Sequence, residues 1–248
     1  MITADEYKNI SVKYGYVASW AVWDKAGDKP KSNISNMEIF EDKNNLLKIL
    51  KTNIVMVGLN FSREVKFEKP FMNFHDSNPH GNDFKIRFAF EETDYYGAYM
   101  TDVIKDLPMT SSKDVLIYLK EKPEILKEQL VRFREELKFI NANKPTIIAF
   151  GKDVYNILNQ YLKANEYRNL IQITHYSHQI SKEKYKKETH EKLGISPSNT
   201  EFFLNSENEL KKIIAVLSEI KLSSRKDVGE VQKLKKLTEV ILTNINRI

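Results

Sequence analysis

The stretch NIVMVGL at residues 53–59 decides the fold class. Beyond its first residue it is apolar or glycine throughout, and the polar Asn60 follows it. A run without polar alternation is typical of a β-strand that is buried on both faces of a sheet. Three further runs of strand character follow along the chain: AYMTDVI at Ala98–Ile104, TIIAF at Thr146–Phe150 and LIQIT at Leu170–Thr174. We therefore predict four strands.

Helical segments separate the later strands. Apolar residues recur at three- and four-residue spacing in Glu124–Asn141 and Lys152–Leu162, and a further helix is predicted at Glu207–Ile220. Strands that alternate with helices indicate an α/β protein with a mainly parallel sheet. We expect a three-layer α/β/α sandwich around a four-stranded, mainly parallel sheet. The stretch KYGYVASWAVWD at 13–24 fits either a strand or a short buried helix.

The C-terminal tail has a different character. Lysines separate apolar residues that recur at helical steps, namely Val231, Leu234, Leu237, Ile241, Ile245 and Ile248. This pattern predicts an amphipathic helix. We divide the chain into an α/β domain with an N-terminal extension at 1–222 and this helix at 223–248. The helix either packs on its own domain or forms a homodimer or another protein contact.

Composition excludes several chemistries. The 248 residues include no cysteine, which rules out disulfides, cysteine-ligated zinc, iron–sulfur clusters and thiol nucleophiles. The net charge of +5 permits a polyanionic partner without requiring one. The N-terminus lacks a signal-peptide pattern and no apolar run is long enough for a membrane span, so we expect a cytoplasmic protein that does not bind membranes. No cofactor or metal is predicted.

Polar or otherwise unusual residues stand at the ends of all four predicted strands. They are Asn60 and Ser62, then Asp102, then Gly151, and finally His175 with Ser177 and His178. Ligands of parallel α/β sheets bind outside the carboxyl ends of the strands. These strand ends are therefore the main candidate site.

A long loop precedes the second strand. It runs EKPFMNFHDSNPHGNDFK at 68–85, and its Phe71, Phe74 and Phe84 could stack on a planar ring such as an unpaired base. His75, Asp76 and His80 have ligand chemistry, but their spacing matches no metal motif.

These motifs, in this order, resemble the uracil-DNA glycosylase superfamily over about residues 52–180. The motifs are GLNFS at 58–62, NDFK at 82–85, YMTDVIK at 99–105, PTIIAFGK at 145–152 and THYSH at 174–178. The resemblance implies that a flipped base is excised from DNA by cleavage of its N-glycosidic bond. The base would be uracil or another deaminated or mismatched base.

The resemblance also implies roles for individual residues. Asn60 would position the attacking water and His175 would stabilise charge on the departing base. Asp102 falls on the residue that reads the base edge. The remaining base-site candidates are Gly58, Leu59, Phe61, Ser62, Phe71, Phe74, Phe84 and Thr101, with Phe74 the best candidate for stacking. Contacts with the nucleic-acid backbone would come from Gly151, Lys152, Ser177, His178 and Lys182.

Three positions depart from the family pattern. Phe61 and Tyr176 stand where prolines are usual, and Asp102 stands where an asparagine reads uracil. An ionised carboxylate would repel a base carbonyl, whereas a protonated one could donate to a ring nitrogen and accept from an exocyclic amine. Cytosine presents that edge, so this chain is expected not to prefer uracil, or not to excise a base. The alternatives are therefore a non-catalytic binding module for nucleic acid or protein and a hydrolase of free nucleosides or nucleotides.

Overall fold

The computed structural model describes residues 2–61, 67–76, 78, 80–196, 210–215 and 225–245. The chain divides into two compact units, Met1–Ile195 and Ser196–Ile248. The first unit contains the whole β-sheet.

The sheet confirms the α/β class but has five strands where four were predicted. The strands are β1 (Ser19–Trp20), β2 (Lys51–Asn60), β3 (Ala98–Ile104), β4 (Thr146–Phe150) and β5 (Asn169–Ile173). Their order is β1-β3-β2-β4-β5, and β2 to β5 pair in parallel. The additional strand β1 is antiparallel to β3, so the sheet is mixed. With two residues, β1 is too short to produce a periodic signal in the sequence.

Helices lie between most of the strands of the first unit. They are α1 (Ala4–Tyr14), α2 (Lys43–Ile49), α3 (Phe84–Phe90), α4 (Ser112–Glu121), α5 (Pro123–Phe139), α6 (Lys152–Tyr161) and α7 (Lys182–Leu193), with a 3₁₀ turn at Glu38–Phe40. Thr3 begins α1 with a capping box, since its hydroxyl accepts from the Glu6 N–H and the Glu6 carboxylate accepts from the Thr3 N–H. Gly194, with φ +65°, ends α7.

The two faces of the sheet contribute to separate hydrophobic clusters. Val55, Val57 and Ala149 belong to a cluster with side chains from α1, α2, α4, α5 and α6. Met56 and Phe150 belong to a second cluster with side chains from α3 and α7. Because successive strand residues point to opposite faces, each cluster takes alternate residues of the same strands. This alternation decides which residues at the strand ends can share a site.

The described part of the second unit is helical. Residues 210–215, within the helix predicted at Glu207–Ile220, are helical, and α8 spans Arg225–Ile245 within the predicted amphipathic tail. Val228, Leu234 and Leu237 expose their side chains. Among the described residues, none of the helices combines the length and apolar character needed to cross a bilayer.

Candidate active site

The candidate site lies at the carboxyl ends of the parallel strands. Gly58 of β2 pairs with Asp102 of β3, and Phe150 of β4 pairs with Ile173 of β5. A Cβ atom on residue 58 would collide with Oδ1 of Asp102 and would lie 3.6 Å from the Phe74 ring. Glycine at position 58 therefore makes room for the aspartate to lie across the neighbouring strand.

Asp102 is a buried carboxyl group with 4% of its surface exposed. Burial raises its pKa from 3.8 to about 7, since desolvation disfavours the ionised form. A hydrogen bond from Asn73 and the nearby Lys105 ammonium act in the opposite direction, and the Glu136 and Asp83 carboxylates add to the rise. Near neutral pH, Asp102 is therefore present in both its neutral and its ionised form.

Asn73 is the direct partner of Asp102, and it was not among the residues predicted from the sequence. Its Nδ2 donates to Oδ2 of Asp102 at 3.0 Å and to the Val17 carbonyl at 3.0 Å. Its Oδ1 accepts from the N–H of Phe74 at 3.1 Å. Asn73 stands directly before Phe74 in the quoted loop, but nothing in the sequence indicates that its amide reaches a strand 29 residues further on.

His175 follows β5 and is held by Ser177. Its Nδ1 accepts the Ser177 backbone N–H at 3.1 Å and lies 2.7 Å from the Ser177 Oγ. Because a backbone N–H can only donate, Nδ1 is the unprotonated nitrogen and the ring proton of neutral His175 lies on Nε2. Burial also lowers the pKa of His175 from 6.5 to about 4, which keeps the ring neutral at physiological pH.

Gly151 positions His175. It has φ +91°, a backbone conformation that favours glycine, and a Cβ atom there would lie 3.4 Å from the Cβ of His175. Its N–H donates to the Ile173 carbonyl at 2.9 Å, which continues the β4–β5 pairing past the strand end. Gly151, which the resemblance assigns to phosphate contact, therefore supports the backbone beside His175.

An aromatic cluster extends from Phe74 to His175. The Phe74 ring lies 6.1 Å from Phe150 and 6.4 Å from Tyr176, measured between centroids. Tyr176 also stacks on His175 at 4.4 Å with an interplanar angle of 22°. Phe74 retains 4% exposure, so Tyr176 and its neighbours cover the ring that the resemblance assigns to base stacking.

Asn60 ends β2 with its amide group fixed. Its Nδ2 donates to the carbonyls of Leu107 at 3.1 Å and Met109 at 2.8 Å. Both amide hydrogens are thereby used, and Oδ1 is the group left to accept from a water molecule. The half-buried Phe61 follows, with its ring 5.6 Å from Phe67, and Ser62 lies outside the described residues.

Three predicted base-site residues lie in the core instead, which corrects their assignment. Leu59 and Phe71 belong to the cluster on the opposite side from Phe74 and Phe150, and Phe71 is 1% exposed. Thr101 donates its hydroxyl to Glu136 at 2.9 Å and is fully buried. For Leu59 and Thr101 the reason is strand alternation, which places them on the other face from Gly58 and Asp102.

The other predicted contact residues are dispersed. Phe84 is half-buried beneath the Lys31 ammonium, which lies 5.3 Å from its ring. Lys152 begins α6 and is exposed, as are Ser177 and His178. Lys182 begins α7, where its ammonium lies 3.9 Å from the Phe88 ring and 3.0 Å from Glu183.

Lys85 supports the loop that carries His175. Only 5% of its surface is exposed, and its Nζ donates to the His178 carbonyl at 2.8 Å. The His178 N–H in turn donates to the His175 carbonyl at 2.9 Å, which closes the turn. The NDFK motif contained this lysine, but a buried role for it could not be read from the motif.

The histidine-rich loop does not form a metal centre in the part of the chain that the structure describes. No group of three potential ligands occurs among those residues. His75 is buried, with Nε2 2.8 Å from the Val22 carbonyl and Nδ1 2.9 Å from the Asn73 carbonyl. This histidine therefore ties the loop to the N-terminal segment.

Comparison with protein-family models, curated proteins and solved structures finds no match to this chain. The motifs and the geometry above are accordingly the basis of the functional proposal.

Proposed function

We propose that this chain is a DNA-glycosylase-like hydrolase that cleaves the N-glycosidic bond of a flipped base. The observation that carries the proposal is the placement of a neutral imidazole, His175, and a buried carboxyl group, Asp102, at the carboxyl ends of strands in one parallel array. The Phe74 ring lies 6.4 Å from Tyr176, which stacks on His175, and 3.6 Å from the position that a Cβ atom on Gly58 would take beside Asp102. The separate hydrophobic clusters on the two sheet faces support the three-layer sandwich that the resemblance implies.

In this proposal each residue has a distinct role. Asp102 contacts the edge of the base, and the Nε2–H of His175 donates to a base oxygen that gains charge. The C1′–N bond breaks with its electron pair leaving on the base. A water molecule that donates to the Asn60 Oδ1 bonds through its oxygen to C1′ and releases a proton to solvent, and the departing base anion takes up a proton from solvent. The products are a free base and an abasic sugar.

The target in this proposal is a base that presents a ring-nitrogen acceptor beside an exocyclic amine, as cytosine does. Neutral Asp102 matches that edge because it carries both a donor and an acceptor oxygen. Replacing Asp102 with asparagine should shift the preference toward uracil. An unchanged preference in Asp102→Asn would refute this assignment.

DNA is the proposed polymer, and its backbone would be contacted by the exposed side chains of Lys152, Ser177 and His178. Lowering the salt concentration should then strengthen binding with a slope set by the number of phosphates contacted. A protein partner or a second copy of the chain bound through α8 is a separate proposal, supported by the exposed Leu234 and Leu237.

Base release tests the proposal directly. Single- and double-stranded oligonucleotides carrying uracil, hypoxanthine, xanthine, cytosine or mismatched thymine would be incubated with the protein and cleaved with alkali at abasic sites. We expect strand breaks that fall by about a hundredfold or more in His175→Ala and Asn60→Ala. Asn60→Asp should retain or increase hydrolysis, because a carboxylate also accepts from water. Asn45→Ala and His80→Ala, at exposed positions, are matched controls and should retain activity.

A second candidate is a binding module without catalysis on the same fold. The observation that favours it is the cover over Phe74, since the stacked Tyr176 would have to move before a base could reach that ring. Salt-sensitive DNA binding without strand breaks would support this candidate. Release of base from free nucleosides but not from oligonucleotides would instead indicate a nucleoside hydrolase.

A further inference from the structure

We propose that Asn73 is a positioning residue that fixes which oxygen of Asp102 donates to the base, by holding Oδ2 as an acceptor and leaving Oδ1 to carry the acid proton. The inference deepens the proposed function and rests on it for the identity of the ligand. Its structural part concerns only the free protein.

The orientation of the Asn73 amide is determined by its three partners. Its nitrogen faces the Val17 carbonyl and Asp102, and its oxygen faces the Phe74 N–H. Rotating the amide by half a turn would place its oxygen against a carbonyl and a carboxyl oxygen, and its NH₂ against an N–H. All three hydrogen bonds would then be lost, so the amide has one satisfied orientation.

The consequence for Asp102 follows from the direction of the hydrogen bond. Since Nδ2 of Asn73 can only donate, Oδ2 of Asp102 accepts in both protonation states. A carbonyl oxygen accepts more strongly than a hydroxyl oxygen, so the hydrogen bond from Asn73 favours the proton of neutral Asp102 on Oδ1, the oxygen against Gly58. Within the described residues no hydrogen bond is made to Oδ1.

From the orientation of the carboxyl group we predict that the site discriminates between base edges with and without a ring N–H. With a donor at Oδ1, the group matches a ring nitrogen that carries no hydrogen and is mismatched to a ring N–H. Without Asn73, the proton exchanges between the two oxygens and the group can present either one. Loss of the amide should therefore weaken discrimination between the two kinds of base edge by about tenfold or more.

The charged groups around Asp102 are Lys105 beyond the end of β3, Glu136 on α5 and Asp83 before α3. None of them is altered by a substitution at position 73. A change in the Asp102 titration in Asn73→Leu can therefore be attributed to the lost amide donor.

The test uses nuclear magnetic resonance of the full chain with ¹³C-labelled aspartate. In Asn73→Leu the carboxyl signal of Asp102 should titrate at higher pH than in the unaltered protein, because the donor that favours its ionised form is gone. Asn36→Leu is the matched control, since Asn36 also donates to an aspartate, Asp24, at 2.9 Å and accepts a backbone N–H two residues later. The control should leave the Asp102 titration unchanged. An unchanged or lowered titration in a folded Asn73→Leu protein overturns the proposal.

A measurement on the unaltered protein covers the case in which Asn73→Leu does not fold. The side-chain N–H signals of Asn73 should shift with pH at the Asp102 midpoint, because the hydrogen bond weakens when its acceptor becomes neutral. Absence of that coupling overturns the proposal. If the coupling is present but no substrate loses its base, the assignment of Asn73 stands and the proposed function fails.

Discussion

Lys85 and His178 lie 93 residues apart in the sequence and are joined by a 2.8 Å hydrogen bond from the lysine ammonium to the histidine carbonyl. The bond links α3 to the turn that carries His175 and Ser177. Burial lowers the pKa of Lys85, and the nearby Lys31 adds to this effect. Burying the Lys85 ammonium costs desolvation free energy, and the ammonium donates to the His178 carbonyl in this turn. We therefore infer that Lys85 stabilises the turn.

Replacing Lys85 with methionine should loosen this turn more than it destabilises the fold. The lost hydrogen bond is offset in part by relief of the buried charge. We expect the His178 amide, which donates to the His175 carbonyl, to exchange with solvent about tenfold faster or more. Hydrogen exchange followed by nuclear magnetic resonance measures this. Lys184→Met, at an exposed position on α7, should leave the rate unchanged, and equal rates in both variants would contradict the anchoring role.

The buried Asp102 should make the protein less stable as the pH rises. Its pKa is raised from 3.8 to about 7, so between these values the native state retains a proton that the unfolded chain has released. The contribution of Asp102 to the free energy of unfolding is therefore highest below about pH 4 and falls until about pH 7.

Urea unfolding at pH 5 and pH 8 tests this dependence. Asp102→Asn cannot titrate at this position, so its stability should fall less over the interval than that of the unaltered protein. The difference between the two proteins isolates the contribution of Asp102 to the pH dependence from those of His75 and His175, whose lowered pKa values act in the opposite direction. Parallel pH dependences in the two proteins would show that the carboxyl group titrates normally.

His175 should remain neutral at pH values well below the usual pKa of a histidine. Because its pKa is lowered to about 4, the imidazole ¹⁵N signals should keep the pattern of a ring protonated on Nε2 from about pH 8 to about pH 5. Ser177→Ala keeps the backbone donor and should preserve the tautomer. A signal from doubly protonated His175 at pH 6 would contradict a neutral ring with an unprotonated Nδ1.

Alanine at position 151 should be more costly than alanine at position 194. Gly151 has φ +91° and ψ 167°, a region that is nearly restricted to glycine, and its new Cβ would lie 3.4 Å from the Cβ of His175, at the near limit of van der Waals contact. Gly194 has φ +65° and ψ 28°, the left-handed helical region, and its new Cβ would meet nothing within 4 Å. We expect Gly194→Ala to lower the free energy of unfolding by about 1 kcal/mol and Gly151→Ala by more. Chemical denaturation compares them, and equal losses would contradict the backbone strain assigned to position 151.

The four long strands could be predicted from the sequence because each is an apolar run between polar stretches. Ala98–Ile104 and Thr146–Phe150 agree with β3 and β4 at both ends, and the other two strands differ by one or two residues. The short edge strand β1 lies within the stretch at 13–24 that fits either a strand or a short buried helix. Its antiparallel pairing could not be predicted, since pairing of two residues depends on where β3 lies.

The candidate site was partly predictable for a related reason. Asp102 and His175 stand at strand ends, and a strand end can be read from hydrophobicity alone. Phe71 and Phe74 belong to one loop and both have positive φ, yet they enter opposite hydrophobic clusters. The choice between them, like the role of Asn73, depends on contacts made far along the chain.

The loop that contains Asn73 and Phe74 is organised by a segment that lies more than 50 residues earlier. Phe71 donates its N–H to the Gly15 carbonyl, and Trp23 donates its indole N–H to the Phe74 carbonyl. The Val17 carbonyl accepts from the Asn73 amide, and the Val22 carbonyl lies 2.8 Å from Nε2 of His75. Such contacts close long chain loops and form only as tertiary structure does. An N-terminal truncation that begins at β2 would therefore keep every strand-end residue named above while removing the scaffold that aligns them. The first 24 residues therefore belong to the same compact unit as the sheet and are not an appendage to it.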